Sequence, residues 1–201
     1  MEYRVSLYSV PGVNAMEEID YPKISALNKR GIVATDEGKL EKAVEAFTQA
    51  LTLDPHLAGV LYNRAEAHRL SGDFEAAEAD LSRALELSPG EPDYLHALGL
   101  LAYDKDDFDT ADALWDNVLL AKPDHPQAWN DKGIVRFRRG LYEEARACFE
   151  KAVAADPELG EAWFNLVDTY EELGLLRERA AAMERLRALG WKSGAGGDEQ
   201  R

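Results

Sequence analysis

The residue types most often used for covalent or metal chemistry are scarce in this sequence, which has one cysteine and four histidines. Cys148 lies directly before the aromatic Phe149, and no histidine is near it in the sequence. Free cysteine is among the most buried residue types, so a packing role is favoured over a nucleophilic one. The histidines form no i, i+4 pair that could hold a metal ion on one helix; they are His56, His68, His96 and His125. We therefore expect no catalytic centre, no metal site and no cofactor.

An acidic cluster in the middle of the chain is the strongest remaining candidate for ion binding. It consists of Asp104, Asp106, Asp107 and Asp109. A calcium loop of the helix-loop-helix type that began at Asp104 would need glycine where Asp109 stands and a bidentate glutamate where Trp115 stands. The cluster is therefore interpreted as a solvated turn.

The charge balance limits the partners of the protein. Its 201 residues include 23 Lys and Arg against 38 Asp and Glu, which gives a formal net charge of −15. Such a surface repels the phosphate backbone, so nucleic acid is not an expected partner. No apolar run reaches the ~20 residues of a membrane-spanning helix, and a single cysteine cannot form an internal disulfide. These features predict a cytoplasmic protein without membrane insertion.

A repeat of 34 residues organises the chain, most clearly in the series Pro55, Pro89, Pro123 and Pro157. The same interval separates Ala43, Ala77, Ala111 and Ala145, and also Phe47, Leu81, Trp115 and Phe149. It relates Gly38 to Gly72 and Gly140 to Gly174, with Asp106 at the equivalent position between them. Proline ends a second helix, glycine supplies the left-handed residue after a first helix, and alanine lets the two helices approach. The period therefore predicts repeated helical hairpins.

These positions resemble the motif of the tetratricopeptide repeat family, which has a Trp or Leu, a Leu-Gly pair and a Tyr on the first helix, then an Ala, an aromatic and a Pro. The fourth unit matches at Trp129, Gly133, Ala145, Phe149, Ala152 and Pro157. The fifth unit matches at Trp163, Leu166, Tyr170, Gly174 and Met183. It departs from the motif at Arg179 and Trp191, which marks its second helix as the solvent-facing end.

The resemblance implies an all-α fold, a right-handed superhelical solenoid of five helix-turn-helix repeats. The predicted repeats are 24–57, 58–91, 92–125, 126–159 and 160–191, between an N-terminal leader at 1–23 and a flexible tail at 192–201. Their helices are predicted at 24–37, 40–53, 58–71, 74–87, 92–105, 108–121, 126–139, 142–155, 160–173 and 176–189. Gly190 is expected to end the last helix in a left-handed conformation, with Trp191 folded back on the final turn.

By the same resemblance, a ligand is held on the concave face that the first helices of the repeats line. Stepping one residue past the packing positions gives a stripe that mixes aromatic, aliphatic and polar side chains, as recognition surfaces do. The predicted groove residues are Asn28, Tyr62, Glu66, Arg69, His96, Tyr103, Asn130, Phe137, Arg138, Phe164 and Asp168. Arg69 and Arg138 are expected to be available for acidic groups of a ligand. Ile32, Leu100 and Ile134 fit equally well as contacts between adjacent units.

One subgroup of the family clamps the C-terminal carboxylate of heat-shock chaperones with Lys and Asn on one first helix, Asn on the next, and Lys and Arg on the third. In the register that starts at the first repeat, Asn28 and Ile32 stand where the Lys and Asn are needed. Asp93 and Ala97 replace the basic pair, and the registers that start at the second and third repeats fail as well. A carboxylate clamp of this kind is therefore not expected.

The predicted function is a non-catalytic module or adaptor that holds a peptide or helix of a partner protein in the groove. The alternative is a chaperone or assembly factor for a subunit of a secretion or membrane complex, and an enzyme with an unrecognised site is the third alternative. The sequence leaves open whether the chain forms a homo-oligomer. A further hypothesis is that apolar residues of the leader cover the groove when no partner is bound; they are Tyr3, Val5, Leu7 and Val10.

Overall fold

The computed structural model describes residues 20–191, and within this range the chain forms ten α-helices in five consecutive pairs. In chain order they are α1 (Tyr21–Asp36), α2 (Leu40–Leu53), α3 (Ala58–Ser71), α4 (Phe74–Leu87), α5 (Pro92–Asp104), α6 (Phe108–Ala121), α7 (Pro126–Arg138), α8 (Tyr142–Ala155), α9 (Gly160–Glu172) and α10 (Leu176–Ala188). No strand occurs in this part of the chain. The predicted all-α fold, a right-handed superhelical solenoid of five helix-turn-helix repeats, is confirmed.

Small residues on both helices of a pair enclose one bulky side chain. On the second helix the small residues are the fully buried Ala43, Ala77, Ala111 and Ala145. On the first helix, Gly99 faces Trp115 so closely that a Cβ would lie 2.2 Å from the indole nitrogen. Gly31 and Gly133 approach the rings of Phe47 and Phe149 in the same way. The tightest pairs therefore combine a glycine with an aromatic ring, because only a residue without a Cβ leaves room for the ring.

Where the first helix lacks glycine, the bulky residue is smaller. Ala65 shares a buried cluster with Leu81 in the second unit, and Val167 shares one with Met183 in the fifth. Leu and Met occupy less space than Phe or Trp. The smaller residue on the second helix therefore leaves room for the side chain that replaces glycine on the first helix. The five pairs thus keep one fold, although the volume is divided differently between the first-helix residue and the second-helix residue.

The turn inside each pair depends on one residue with a positive φ. Gly72 has φ 82°, and its N–H donates to the carbonyl of Arg69 at 3.0 Å. In the third pair Asp106 takes this place with φ 59°, and it is the sole non-glycine residue with a positive φ within residues 20–191. Asp107 follows as the N-cap of α6, and its carboxylate accepts the N–H of Thr110 at 3.2 Å. The acidic cluster of the third unit therefore forms a turn and a helix cap.

Helix α1 begins three residues earlier than predicted, at Tyr21. Pro22 does not precede the helix but lies in its first turn, where the missing N–H would have no intrahelical partner in any case. Asp20 caps the helix, since its Oδ1 accepts the N–H of Lys23 at 2.9 Å. Residues 21–23 therefore belong to the first pair. Residues 1–19 of the predicted leader and the tail at 192–201 lie outside the described part of the chain.

The backbone at the end of the last helix is as predicted, but the side chain of Trp191 takes a different direction. Gly190 has φ 77°, and the N–H of Trp191 donates to the carbonyl of Leu186 at 3.0 Å. The indole ring of Trp191, however, crosses to α9, where a Cβ at Gly160 would lie 2.6 Å from it. Trp191 therefore packs against the core of the fifth unit.

Candidate functional site

The inner face is the side of the solenoid formed by the first helix of each unit: α1, α3, α5, α7 and α9. Hydrogen bonds between residues 35 positions apart join these helices directly. The pairs are Asn28 with Asn63, Arg69 with Asp104, His96 with Asp131, Tyr103 with Arg138, and Asn130 with Asn165. Every pair includes at least one predicted groove residue. Part of the predicted stripe therefore joins the units to one another.

Asn130 is the clearest case of this internal use. It is buried, its Oδ1 accepts the amide of Asn165 at 2.9 Å, and its own amide donates to Asp131 at 3.3 Å. Asn28 accepts from Asn63 at 3.0 Å at the equivalent joint between the first two units. Buried amides stabilise a fold when their hydrogen bonds are satisfied. We therefore assign Asn28 and Asn130 to the joints between units.

His96 and His125 lie next to each other although they are distant in sequence. An i, i+4 spacing on one helix does not indicate such a pair. Their ring centroids are 5.1 Å apart, and Nε2 of His96 donates to the carboxylate of Asp131 at 2.7 Å. His125 is buried as the N-cap of α7, where its Nδ1 accepts the N–H of Ala128. Burial, assisted by His96, lowers the pKa of His125, so this ring is neutral at pH 7. The pair thus has a capping and joining role.

Arg69 is held by two carboxylates of the protein itself. Its guanidinium donates to both oxygens of Glu66, at 2.9 and 2.8 Å, and also to Asp104 of the next unit. The hydrogen bond to Glu66 is the largest cause that raises the pKa of Arg69. Three of its five N–H donors are thus used within the protein. The availability of Arg69 for an acidic ligand group stays a prediction.

Arg138 is more exposed than Arg69 but also has internal contacts. It donates to the hydroxyl of Tyr103 at 2.9 Å. Its guanidinium lies 5.4 Å from the ring centre of Tyr103 and 5.2 Å from that of Phe108. Cation–π contacts of this kind hold a guanidinium over aromatic faces. Arg138 therefore covers Tyr103, and a ligand that used the Tyr103 ring would have to displace it or pack beside it.

The remaining predicted aromatics are half-buried in pairs. Tyr62 stacks on Tyr94 with ring centres 5.3 Å apart, and burial is the main cause that raises its pKa. Phe137 meets Tyr142 edge to face at 5.1 Å, and Phe164 stacks on Trp191 at 6.5 Å. Each ring is thereby fixed in orientation while part of it faces the inner face. Rigid aromatic side chains lose little conformational entropy when a ligand covers them.

Two hollows open on the inner face at equivalent positions three units apart. The hollow of units one and two has a volume of about 150 Å³ and is lined by Ile32, Thr35, Asp36, Phe47, Tyr62, Asn63 and Glu66. The hollow of units four and five has a volume of about 50 Å³ and is lined by Ile134, Phe137, Phe149, Asn165 and Asp168. Both combine isoleucine, phenylalanine, an asparagine amide and a carboxylate. The structure thus brings Tyr62 and Glu66 together in one hollow, and Phe137 and Asp168 in the other.

The carboxylate of Asp168 lacks the paired cation that the carboxylate of Glu66 has. Burial raises the pKa of Asp168, and the nearby carboxylate of Glu171 raises it further. Arg179 opposes this shift, but its guanidinium pairs with Glu171 at 3.1 Å. Within residues 20–191, no side chain forms a hydrogen bond or ion pair with Asp168, whereas Glu66 has Arg69.

A polar network behind the inner face was not predicted. Lys132 is buried and its Nζ lies 2.7 Å from Asp112, which also accepts from Arg136 at 2.8 Å. These two cations lower the pKa of Asp112 against the effect of burial. Burial raises the pKa of the adjacent Cys148, so the thiol is protonated at pH 7 and is a poor nucleophile. The signal in the sequence was a lysine next to the motif glycine, a position that the repeat buries.

Two features are absent from the described part of the chain, a metal-binding cluster and a membrane-spanning helix. No group of three His, Cys, Asp or Glu side chains within residues 20–191 is arranged to hold a metal ion. In the same range, no helix combines the length and the apolar character that crossing a bilayer requires.

The family model for the tetratricopeptide repeat matches residues 28–92, 96–159 and 131–193. The chain belongs to the tetratricopeptide repeat family. This confirms the resemblance carried by the 34-residue period. Members of this family have the architecture of protein-interaction modules, so the inner face is the part of the chain to consider for a partner.

Comparison with individual proteins agrees with this assignment. The human tetratricopeptide repeat protein 36 is 48% identical over 65 residues, which cover 32% of this chain and 34% of that protein. The mouse protein of the same name is 42% identical over 79 residues, covering 39% of this chain and 41% of that protein. The chain thus spans less than half the length of these relatives.

Solved structures show the same fold at low sequence identity. PilF of Pseudomonas aeruginosa has a TM-score of 0.74 at 16% identity, with 86% of this chain and 78% of that chain covered. YrrB, described as a tetratricopeptide repeat protein with an unusual peptide-binding site, has a TM-score of 0.54 at 17% identity, with 81% and 84% covered. The likeness at this level concerns the fold.

Proposed function

We propose that this protein is a non-catalytic interaction module that holds a segment of a partner protein against its inner face. The observation that carries the proposal is the pair of equivalent hollows on that face, each with apolar walls and a carboxylate. Binding sites for peptides and small ligands combine apolar surface with a few fixed polar groups in this way. An adaptor and an assembly factor would use the same contacts, since they differ in the identity of the partner.

The proposed contact set is narrower than the stripe predicted from the sequence. It omits Asn28, His96 and Asn130, whose polar side chains join the units, and the internally paired Arg69 and Arg138. It adds isoleucines that line the hollows. From the hollows the set takes Ile32, Tyr62, Glu66, Ile134, Phe137 and Asp168. From the predicted stripe it keeps the aromatic residues Tyr103 and Phe164.

The hollow of units four and five has the properties of an anchor point. Phe137 and Ile134 form its walls, and the buried ring of Phe149 forms part of its lining. Ile134 and Phe137 sit on helix α7, which packs on both sides, so a ligand side chain would enter a preorganised site. Anchors of this kind dominate the energy of an interface when truncated, typically by about 2 kcal/mol or more.

Selection from a random peptide library displayed on phage tests the proposal with the full chain as bait. We expect peptides that bind the wild-type chain and lose affinity by about thirtyfold for Phe137→Ala and Ile134→Ala, which corresponds to about 2 kcal/mol. Leu120→Ala is the matched control for Ile134→Ala, because Leu120 is 84% exposed on α6, outside the inner face. Circular dichroism checks that each variant keeps the helical fold.

Two results would contradict the proposal. One is the absence of any selected peptide. The other is a set of peptides that bind the correctly folded Ile134→Ala and Phe137→Ala variants as tightly as the wild-type chain.

A further inference from the structure

The two hollows of the inner face differ in the charged residue that stands one helical turn after their shared carboxylate. In the hollow of units one and two, Glu66 is followed one helical turn later by Arg69, which neutralises it with two hydrogen bonds. At the equivalent places in units four and five stand Asp168 and Glu171. The internal cation of the first hollow is therefore replaced by an anion in the second.

This replacement leaves the second hollow with a carboxylate that lacks a counter-charge. Asp168 lines the hollow beside Ile134 and Phe137. Arg179, the cation that favours the charged form of Asp168, is itself bound to Glu171 at 3.1 Å. A partly buried carboxylate next to a second carboxylate is destabilised in its charged form. A cation supplied from outside would remove that cost and would find apolar surface beside it.

We propose that the hollow of units four and five accepts a lysine or arginine side chain of the bound segment, next to an apolar residue of the same segment. The ammonium or guanidinium group pairs with Asp168, and the methylene stem lies along Ile134 and Phe137. Long basic side chains bury their stems on apolar surface while the charged group meets a carboxylate. The inference rests on the proposed function, since it assigns the chemistry of the segment that the inner face holds.

The charge of the whole chain favours the same occupant. The formal net charge is −15, and Glu171 and Glu172 lie near Asp168. Such a field attracts a basic segment and repels an acidic one, which raises the association rate and suppresses wrong partners. In the first hollow Arg69 already neutralises Glu66, so the carboxylate equivalent to Asp168 has no corresponding demand for a cation.

The experiment uses the same phage-displayed random peptide library and compares wild type with two charge variants. Asp168→Asn removes the carboxylate. Glu171→Arg places a cation where the first hollow has one, and releases Arg179 as well. The controls are Asp124→Asn, an identical change in the exposed turn between α6 and α7, and Glu184→Arg, an identical reversal on the exposed side of α10.

We expect the peptides selected by wild type to be enriched in Lys or Arg beside an apolar residue. Their affinity, measured by fluorescence anisotropy, should fall by roughly tenfold for both Asp168→Asn and Glu171→Arg and by less than about twofold for the two controls. Replacing the basic residue of the peptide by citrulline or norleucine should cause the same loss on wild type and little further loss on Asp168→Asn.

Three results would overturn the inference. Peptides that depend on Phe137 but show no basic preference would overturn it while leaving the proposed function intact. An equal loss for the variants and for their matched controls would show that only net charge matters. No selected peptide at all would overturn the proposed function, and the inference with it.

Discussion

At the scale of single residues, Gly99 and Trp115 show how closely the packing of a pair is determined. The indole occupies the space that a Cβ at Gly99 would take, so Gly99 cannot gain a side chain without strain, and a smaller residue at position 115 would leave a cavity. Ala65 with Leu81 and Val167 with Met183 divide the volume differently, with a larger residue on the first helix and a smaller one on the second. The resemblance to the family motif indicated the glycines; the compensation between the two helices became visible only in the structure.

We predict that Gly99→Ala lowers the free energy of unfolding by about 1–3 kcal/mol, because the added methyl group would overlap the Trp115 ring. Gly59→Ala is the matched control, since a Cβ there meets nothing within 4 Å. It should leave stability unchanged or raise it by up to about 1 kcal/mol through helix propensity. Urea unfolding followed by circular dichroism measures both values. Equal changes in the two variants would contradict the close approach of α5 and α6.

Asp168 gives a prediction with a defined pH dependence. Burial and Glu171 raise its pKa in the folded protein above the ordinary 3.8. The folded state therefore binds this proton more tightly than the unfolded state, so the group costs stability as pH rises through its folded pKa. Asp168→Asn removes that cost. Its melting temperature should exceed that of wild type at pH 7, and the difference should disappear as the pH falls well below 3.8.

Asp124→Asn, a change of the same kind at an exposed position, should show no such pH-dependent difference. A melting temperature of Asp168→Asn below that of wild type at pH 7 would show that the carboxylate is stabilised in the free protein. That result would remove the electrostatic reason for a basic ligand.

At the scale of helices and turns, most of the fold was predictable because each boundary has a local cause. Proline after a second helix, and a glycine or Asp106 after a first helix, set the ends of nine helices almost to the residue. The start of α1 was predicted three residues late, although proline is well tolerated in a first helical turn, where Pro22 stands. Local signals fix where a helix ends, and they need only the sequence.

The contacts of the inner face were predicted less well, since they depend on two units at once. A first-helix residue meets the residue 35 positions later, as Asn28 meets Asn63 and Asn130 meets Asn165. A comparison of the sequence at that separation would have indicated the complementary pairs, including Arg69 with Asp104. The hollows could not be predicted from the spacing of residues in the sequence, because their shape depends on how far the side chains of adjacent units extend.

The turn between α5 and α6 carries a prediction about Asp106. Its φ of 59° is strained for a residue with a Cβ, and the equivalent residues of the other four pairs are glycines. Asp106→Gly should therefore raise the free energy of unfolding by about 1 kcal/mol. The reciprocal change Gly72→Asp should lower it by a similar amount. Thermal and urea unfolding measure both, and a destabilised Asp106→Gly would indicate that the side chain has a stabilising role we have not identified.

At the scale of the whole molecule, the acidic charge and the inner face act together. With a net charge of −15, the chain attracts basic segments from a distance, and the hollow of units four and five offers one of them a fixed partner. The apolar walls provide the part of the affinity that salt does not screen. The two contributions can therefore be separated by ionic strength.

For a selected peptide with one basic residue at the second hollow, we predict that the dissociation constant rises about tenfold between 50 and 500 mM NaCl. The same peptide with norleucine at that position should change by less than about twofold, because apolar contacts are not screened. Isothermal titration calorimetry on the full chain gives both values. Identical salt dependence of the two peptides would argue against a charge pair in the complex.

The central claim, that the inner face is the binding surface, is tested most directly by methyl NMR of the full chain labelled at Ile, Leu and Val. Adding a selected peptide should shift the methyl signal of Ile134, which lines the second hollow. Leu120 and Leu176 are 84% and 73% exposed on second helices and should stay unchanged. Shifts at Leu120 or Leu176 without a shift at Ile134 would place the partner on the other side of the solenoid and contradict the claim.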